Sequence, residues 1–306
     1  MPVITSIPRE LTAVMQVQRT LYRPAFFRNV LFVDNSMPEY VQNIHTRQLT
    51  HAASVQPAGP LGSQVPMAQV NQASTSVSVI KYVAGYEYSD DELMEAQAGV
   101  GISLSAERAL ANSLAAEQKL DEIAAQGDTT VGLGGFGNNG TVPTVTAVTK
   151  AAGGTTWAVA TALEIVEDLW AMALGVRSNS MQNYKAAAVL LPEAQHVSAV
   201  STTNASTDKN AIQIFREQSG GQIDIQVWDR LDGLGAGTTP RAMALGIPVT
   251  GAATGEGAPA KMDIPREFIQ SGSPLQVQGG WSILQNFRTA GVTIRNPEAF
   301  TYMDAL

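Results

Sequence analysis

Apolar and polar positions along the chain follow different rhythms, and the changes of rhythm divide it. Residues 1–38 show weak periodicity and are punctuated by Pro2, Pro8, Pro24 and Pro38. Within them Leu21–Val33 is apolar and aromatic, carrying Tyr22, Phe26, Phe27 and Phe32. That reads as an extended arm with a short helix, whose aromatics need cover from a neighbouring surface or from the chain's own core. In residues 40–88 the period becomes two: Ser76–Val83 alternates β-branched and small polar residues, the pattern of a return strand whose partner is Tyr40–Leu49. Between them Pro57, Gly59, Pro60 and Gly62 sustain neither helix nor ladder, so they mark the tip of a long hairpin. A two-stranded ribbon is marginal alone in water, so it is expected to lie against something else.

From Ser89 the pattern turns helical. Ser89 followed by Glu92 spells a capping box, and Asp90 and Asp91 suit the positive end of the helix dipole. Gly99-Val100-Gly101 predicts a break or kink, each glycine costing about 1 kcal/mol against alanine. The helix resumes over Ser103–Gln126 and stops at Gly127. Its apolar residues do not share one narrow stripe and alanine fills the other faces, so neighbours are expected on several sides, as around a spine crossing a thin layer.

Beyond it, Thr156–Leu174 predicts an amphipathic helix with Leu163, Val166, Trp170, Ala173 and Leu174 on one face and Gly175 closing it. Strands are expected at Ala186–Leu191, Ile223–Trp228 and Arg241–Gly246, helices from Pro192 and over Lys209–Glu217, and a loop at 249–260. Two or three strands in Phe268–Ile294 should return beside the first half.

Composition changes the picture in one respect. Only 15% of residues are charged, against a usual value of about 25%. A chain so poor in charge has little to cover an exposed surface with, so much of that surface is expected to be buried against other copies. The net charge of −8 and six scattered lysines argue against a duplex-binding face. The absence of cysteine removes disulfides and thiolate chemistry. The N-terminus lacks the apolar core of a signal peptide, and no run approaches the roughly 18 apolar residues of a membrane span, so no membrane partner is expected.

Candidate chemistry is sparse. Gly132-Leu133-Gly134-Gly135-Phe136-Gly137 satisfies the dinucleotide-binding spelling, but a helix precedes it and no helix follows, so it reads as a flexible turn. His45, His51 and His196 lack the spacing of a metal site. Asp90–Glu95 and Asp121-Glu122 are explained by solvation and capping, and the four tryptophans by core packing. No catalytic, cofactor-binding or metal-binding residue is expected.

The order Tyr86–Leu93, Gly101–Leu104, Ala106–Ala116, Lys119–Asp128 and Gly132-Leu133 resembles the spine-helix region of tailed-bacteriophage major capsid proteins. The resemblance implies an α+β chain of the Hong Kong 97-type fold. Residues 1–38 would be its N-terminal arm and 39–85 its E-loop hairpin, with 86–155 plus 276–306 as P-domain and 156–275 as A-domain. It implies self-assembly as pentamers and hexamers into an icosahedral shell that encloses double-stranded DNA. Portal, scaffolding and decoration or cement proteins are the partners it implies, in a virion assembled in the host cytoplasm. On the same ground Gly99 and Gly101 become a spine hinge, Phe26, Phe27 and Phe32 become arm contacts, and Pro57, Gly59, Pro60 and Gly62 become the tip that reaches a neighbour. Residues 39–80 contain no lysine, so covalent cross-linking through the hairpin is not expected. The arm begins almost at Met1, so a scaffold is expected to be a separate protein. An encapsulin-type cellular shell is the alternative, and a dinucleotide-binding enzyme is the alternative from another class.

Overall fold

The computed structural model describes residues 24–54, 67–97, 104–249 and 258–306. The hinge glycines Gly99 and Gly101, the tip residues Pro57, Gly59, Pro60 and Gly62, and most of the arm therefore lie outside the described residues.

The chain opens with α1 (Phe27–Val30) and β1 (Phe32–Asp34), then β2 (Asn43–Ala52), β3 (Gln69–Ser78) and β4 (Ile80–Ser89). Next come α2 (Asp90–Gln97), the long α3 (Leu104–Gln126), the short pair β5 (Gly127–Asp128) and β6 (Leu133–Gly134), and β7 (Thr144–Thr146). The second half holds α4 (Ala162–Asn179), β8 (Tyr184–Leu191), α5 (Glu193–Ser201), α6 (Ala211–Gln218), β9 (Asp224–Val227) and β10 (Arg241–Pro248). Six strands complete it: β11 (Ala260–Asp263), β12 (Arg266–Gln270), β13 (Leu275–Val277), β14 (Gly280–Thr289), β15 (Gly291–Ile294) and β16 (Phe300–Asp304).

Three sheets and a ribbon organise the body. A five-stranded sheet runs β7-β16-β10-β8-β9. Successive side chains of a strand face opposite sides, and here each side meets its own core. Val189, Leu191, Ala242, Ala244 and Met303 join the core built on α4. Leu190, Met243 and Tyr302 join the core built on α3. A second sheet pairs β4 with β14 over ten residues, from Ile80 against Thr289 to Ser89 against Gly280, and adds β12 and β13. The third sheet, β1-β11-β15, joins the start of the chain to its end. The ribbon is β2 with β3.

The sheets do not follow the expected domain boundaries. Residues 144–146 and 300–304 sit in the sheet with 184–248, whereas 266–277 pair with β14 beside β4. The expected return strand Ser76–Val83 is likewise split at Val79, which is buried where the chain leaves the ribbon and enters the β4–β14 sheet. The helix predicted to close at Gly175 runs on to Asn179. Gly175 lies where α4 crosses the sheet: a Cβ there would meet Thr301 Cγ2 at 2.9 Å and Val145 Cγ2 at 3.0 Å. The buried face of α4 is Ile165, Val166, Leu169, Met172, Ala173 and Val176, and Leu163 and Leu174 are exposed. Leucine on both faces blurred the phase, since Leu169 is buried. Of the tryptophans, Trp157 and Trp228 are buried, while Trp170 and Trp281 are only half-buried.

The capping box at the start of α2 is present: Glu92 N–H donates to Ser89 Oγ at 3.2 Å and Ser89 N–H to Glu92 Oε2 at 3.3 Å. Gly127 ends α3 with φ +77°, the left-handed conformation that glycine adopts without strain. The glycine tract that read as a flexible turn instead caps α3. Phe136 N–H reaches Ala124 O at 2.8 Å and Gly137 N–H reaches Ala125 O at 2.7 Å, satisfying carbonyls that a helix end leaves open. Phe136 is buried against Phe300, ring centroids 4.9 Å apart at 88°.

Gly135 allows this return. A Cβ on it would lie 2.3 Å from the Gln126 carbonyl carbon, whereas one on Gly140 would meet nothing within 4 Å. Gly135→Ala is therefore expected to destabilise the protein by about 1–3 kcal/mol or more, and Gly140→Ala by under about 0.5 kcal/mol. Paired denaturation midpoints measure the difference; equal midpoints would show that the cap yields without cost.

Candidate assembly surfaces

The ribbon is the least self-sufficient part of the structure. Residues 69–76 are all exposed, and contact with the body is concentrated at the base, where Ile44, Val79 and Ala290 form a small cluster with Met37, Val41 and Val77 around it. Ten-residue strands anchored at one end expose a long stretch of backbone and side chain to whatever lies alongside. A groove of about 610 Å³ opens between the ribbon's inner side, including Ile44, Thr46 and Val77, and the β11–β15 edge at Lys261 and Thr293.

The wall of that groove holds a buried charge cluster absent from the sequence reading. Lys261 Nζ lies 2.8 Å from Asp34 Oδ2 and 2.6 Å from Asp263 Oδ1. Asp263 Oδ2 also accepts from Thr293 Oγ1 at 3.2 Å. Burial pushes Asp34 up, but hydrogen bonds from Lys261 and Ser36 outweigh it and hold that carboxyl at about 2. Burial dominates at Asp263 and raises it despite the same lysine. The alternation of Lys261 and Asp263 in a strand was the available signal, because i and i+2 share a face; their partner Asp34 is remote in sequence.

The arm aromatics separate. Phe27 is fully buried in the chain's own α3 core, so the expectation that it contacts a neighbour is corrected. Phe26 packs half-buried against Trp228, ring centroids 6.3 Å apart. Phe32 is 40% exposed. Asp121, read as a solvated helix-face acid, is 2% exposed and accepts hydrogen bonds from the backbone N–H groups of both Phe26 and Phe27 at 3.0 Å. A backbone contact across so many residues has no local signature.

No group of three or more His, Asp or Glu among the described residues could hold a metal ion, and no described helix is long and apolar enough to cross a membrane. The polar groups that do converge are paired with one another: Lys150 with Asp168 in the α4 core, and Arg241 with Asp304 at 2.6 Å.

A family model described as major capsid protein matches residues 58–306. The chain belongs to the major capsid protein family. No curated protein sequence matches it. Among solved structures it is similar to the capsid of Myoviridae phage XM1, with TM-score 0.77 and 16% identity over 95% of each chain. It is also similar to a structure of Mycobacterium phage Bobi, with TM-score 0.63 and 11% identity over 94% of this chain and 92% of that one. A structure of Mycobacterium phage Adephagia aligns over 97% of both chains, with TM-score 0.63 and 10% identity. The major capsid protein thus has the Hong Kong 97-type fold expected from its spine-helix region.

The charge cluster yields a pH-dependent prediction. Asp34 is depressed, so its contribution is complete above the ordinary carboxylate value of about 3.9 and is lost as pH falls toward 2. Asp263 is raised, so ionising it opposes folding as pH rises. Lys261→Met leaves both carboxylates without their cation, a loss of about 3–5 kcal/mol for a buried pair. The deficit is expected to be largest at neutral pH and to shrink as pH falls through 4. Denaturant midpoints from pH 7 to pH 3 test this; a deficit independent of pH would reduce Lys261 to a packing role.

Proposed function

We propose that this major capsid protein is the structural subunit of the head shell of a tailed double-stranded DNA phage. It assembles with itself as pentamers and hexamers, encloses DNA without reading its sequence, and works with portal, scaffolding and decoration proteins, the shell forming in the host cytoplasm. The observation that carries the proposal is the projecting ribbon. Such a ribbon is marginal in water, this one is anchored at its base among the described residues, and a second copy of the chain is what makes its length useful. The low charge content points the same way. Within the shell the hairpin tip and Phe32 reach neighbours, while Gly99 and Gly101 let the spine bend as the shell changes size.

Light scattering with negative-stain microscopy on the purified protein, alone and co-expressed with neighbouring genes, should find closed shells or stable pentamers and hexamers. A monomer or dimer under every condition overturns the proposal. Deleting residues 55–68 should leave the thermal melt of the subunit in place and reduce shell yield; a subunit that unfolds instead would assign the tip to its own core.

Replacing Gly99 and Gly101 together with alanine should slow or block shell expansion. The readout is shell diameter over time by scattering, and wild-type expansion in the double variant would remove the hinge.

A further inference from the structure

The β4–β14 sheet has one face under α3; on the other, among the described residues, the β4 side chains and Leu284 are exposed, Ser282 and Arg288 are half-buried, and Asn286 is buried between its neighbours. Tyr82, stacked on Phe287 at 5.0 Å, and Gln285, hydrogen-bonded to Asn112, mark the covered side. Alternation then puts Lys81, Val83, Gly85 and Glu87 on the other side. Their partners in β14 are Arg288, Asn286, Leu284 and Ser282. On the far side of β14, Arg288 pairs with Arg266 and Asn286 with Ile269.

This register sorts that face into three zones. At one end Lys81, Arg288 and Arg266 stand side by side across three adjacent strands. Like charges directly opposite one another destabilise a sheet. The nearest compensation is Glu39, whose carboxylate is 3.7 Å from Arg266 and 61% exposed and whose carbonyl accepts from Arg288. In the middle lie exposed apolar side chains: Val83 at 62%, Leu284 at 43% and Ile269 at 43%. At the other end are Glu87 and, immediately after the strand, Asp90 and Asp91, all exposed. Arg108 pairs with Glu92 and donates to the Glu87 carbonyl, leaving the carboxylates of Glu87, Asp90 and Asp91 in no ion pair among the described residues. Lys81 and Glu87 are about 20 Å apart at roughly 3.3 Å per residue. That exceeds the screening length of about 8 Å, so the two poles do little for each other within one copy.

The basic pole also closes a longer asymmetry. From Tyr40 through Tyr86 there is no Asp or Glu, although the whole chain carries a net charge of −8.

We infer that this sheet face is an interface with a second copy of the chain, the Lys81–Arg288–Arg266 ladder of one meeting the Glu87, Asp90 and Asp91 end of the other. Val83, Leu284 and Ile269 are buried between the two poles. The inference rests on the shell reading and names the surface and chemistry by which copies recognise one another. Like ends repel, so the same charges that favour this contact set its direction.

The test is a charge exchange on the full chain. Lys81→Glu with Arg288→Glu makes both ends acidic, and Glu87→Lys with Asp91→Lys makes both ends basic. Each double variant should lose at least about tenfold in assembled fraction at physiological salt. The chain carrying all four substitutions should regain most of it. Wild-type yield from either double variant overturns the inference, as does failure of the fourfold variant to recover. Circular-dichroism melts check folding, and Lys81→Gln, which removes one exposed charge, should weaken assembly in a salt-dependent way if the larger changes unfold the chain. Shells of normal yield that retain less DNA would give the ladder to nucleic acid and also overturn it. Wild-type protein run in parallel separates the two ideas: if it forms no shells the proposed function fails, and if it does while the variants match it only the sheet-face contact fails.

Discussion

One carboxylate joins three parts of this chain that share no local sequence. Asp121, buried on the inner side of α3, accepts the backbone N–H groups of Phe26 and Phe27 at 3.0 Å, the Trp228 indole N–H at 3.3 Å and Arg230 Nε at 3.2 Å. It caps a helix of only four residues, far too short to persist by itself in water, and so directs Phe27 and Leu31 into the α3 core. Removing one partner of a buried charge costs about 3–5 kcal/mol, which would consume much of the stability of an ordinary domain.

The other core repeats the device. Asp168 on α4 accepts the Trp157 indole at 2.8 Å and the Val148 N–H at 2.9 Å while pairing with Lys150. Each core of the five-stranded sheet thus contains a carboxylate that serves an indole, a cation and a backbone amide from a preceding segment. Buried charges are expensive unless every lone pair is used. Here that requirement fixes where irregular segments must dock.

The ribbon and the side of β4–β14 away from α3 show the opposite economy. Most of the ribbon and β4 side chains on these surfaces are exposed, like charges are adjacent across the sheet, and the described contact of the ribbon with the body is concentrated at its base. Surfaces left in this state are suited to association with another copy. The membership of the major capsid protein family accounts for this division.

What was legible in the sequence was local. The period-two ribbon, the Ser89–Glu92 cap, the end of α3 at Gly127 and the strands near 186, 224 and 241 all follow from neighbouring residues, because periodicity, capping and left-handed glycine act within a turn or two. The spine-helix resemblance carried the fold class for the same reason, as its motifs are contiguous. What misled was equally local. Gly175 looks like a stop until Thr301 is seen beside it, and the glycine tract looks loose until its amides are seen on Ala124 and Ala125. Phe27 looks available until Asp121 is found holding its amide. Strands in 268–294 returned beside the first half as expected, β14 lying on β4, but that register and the pairings of β1 with β11 and of Asp34 with Lys261 were decided by the tertiary structure alone. Sequence sets which segments can form strands and helices and which residues cannot tolerate water unpaired. Which distant segment supplies the partner depends on packing volume and on the matching of buried charges, and neither leaves a trace at fixed spacing along the chain.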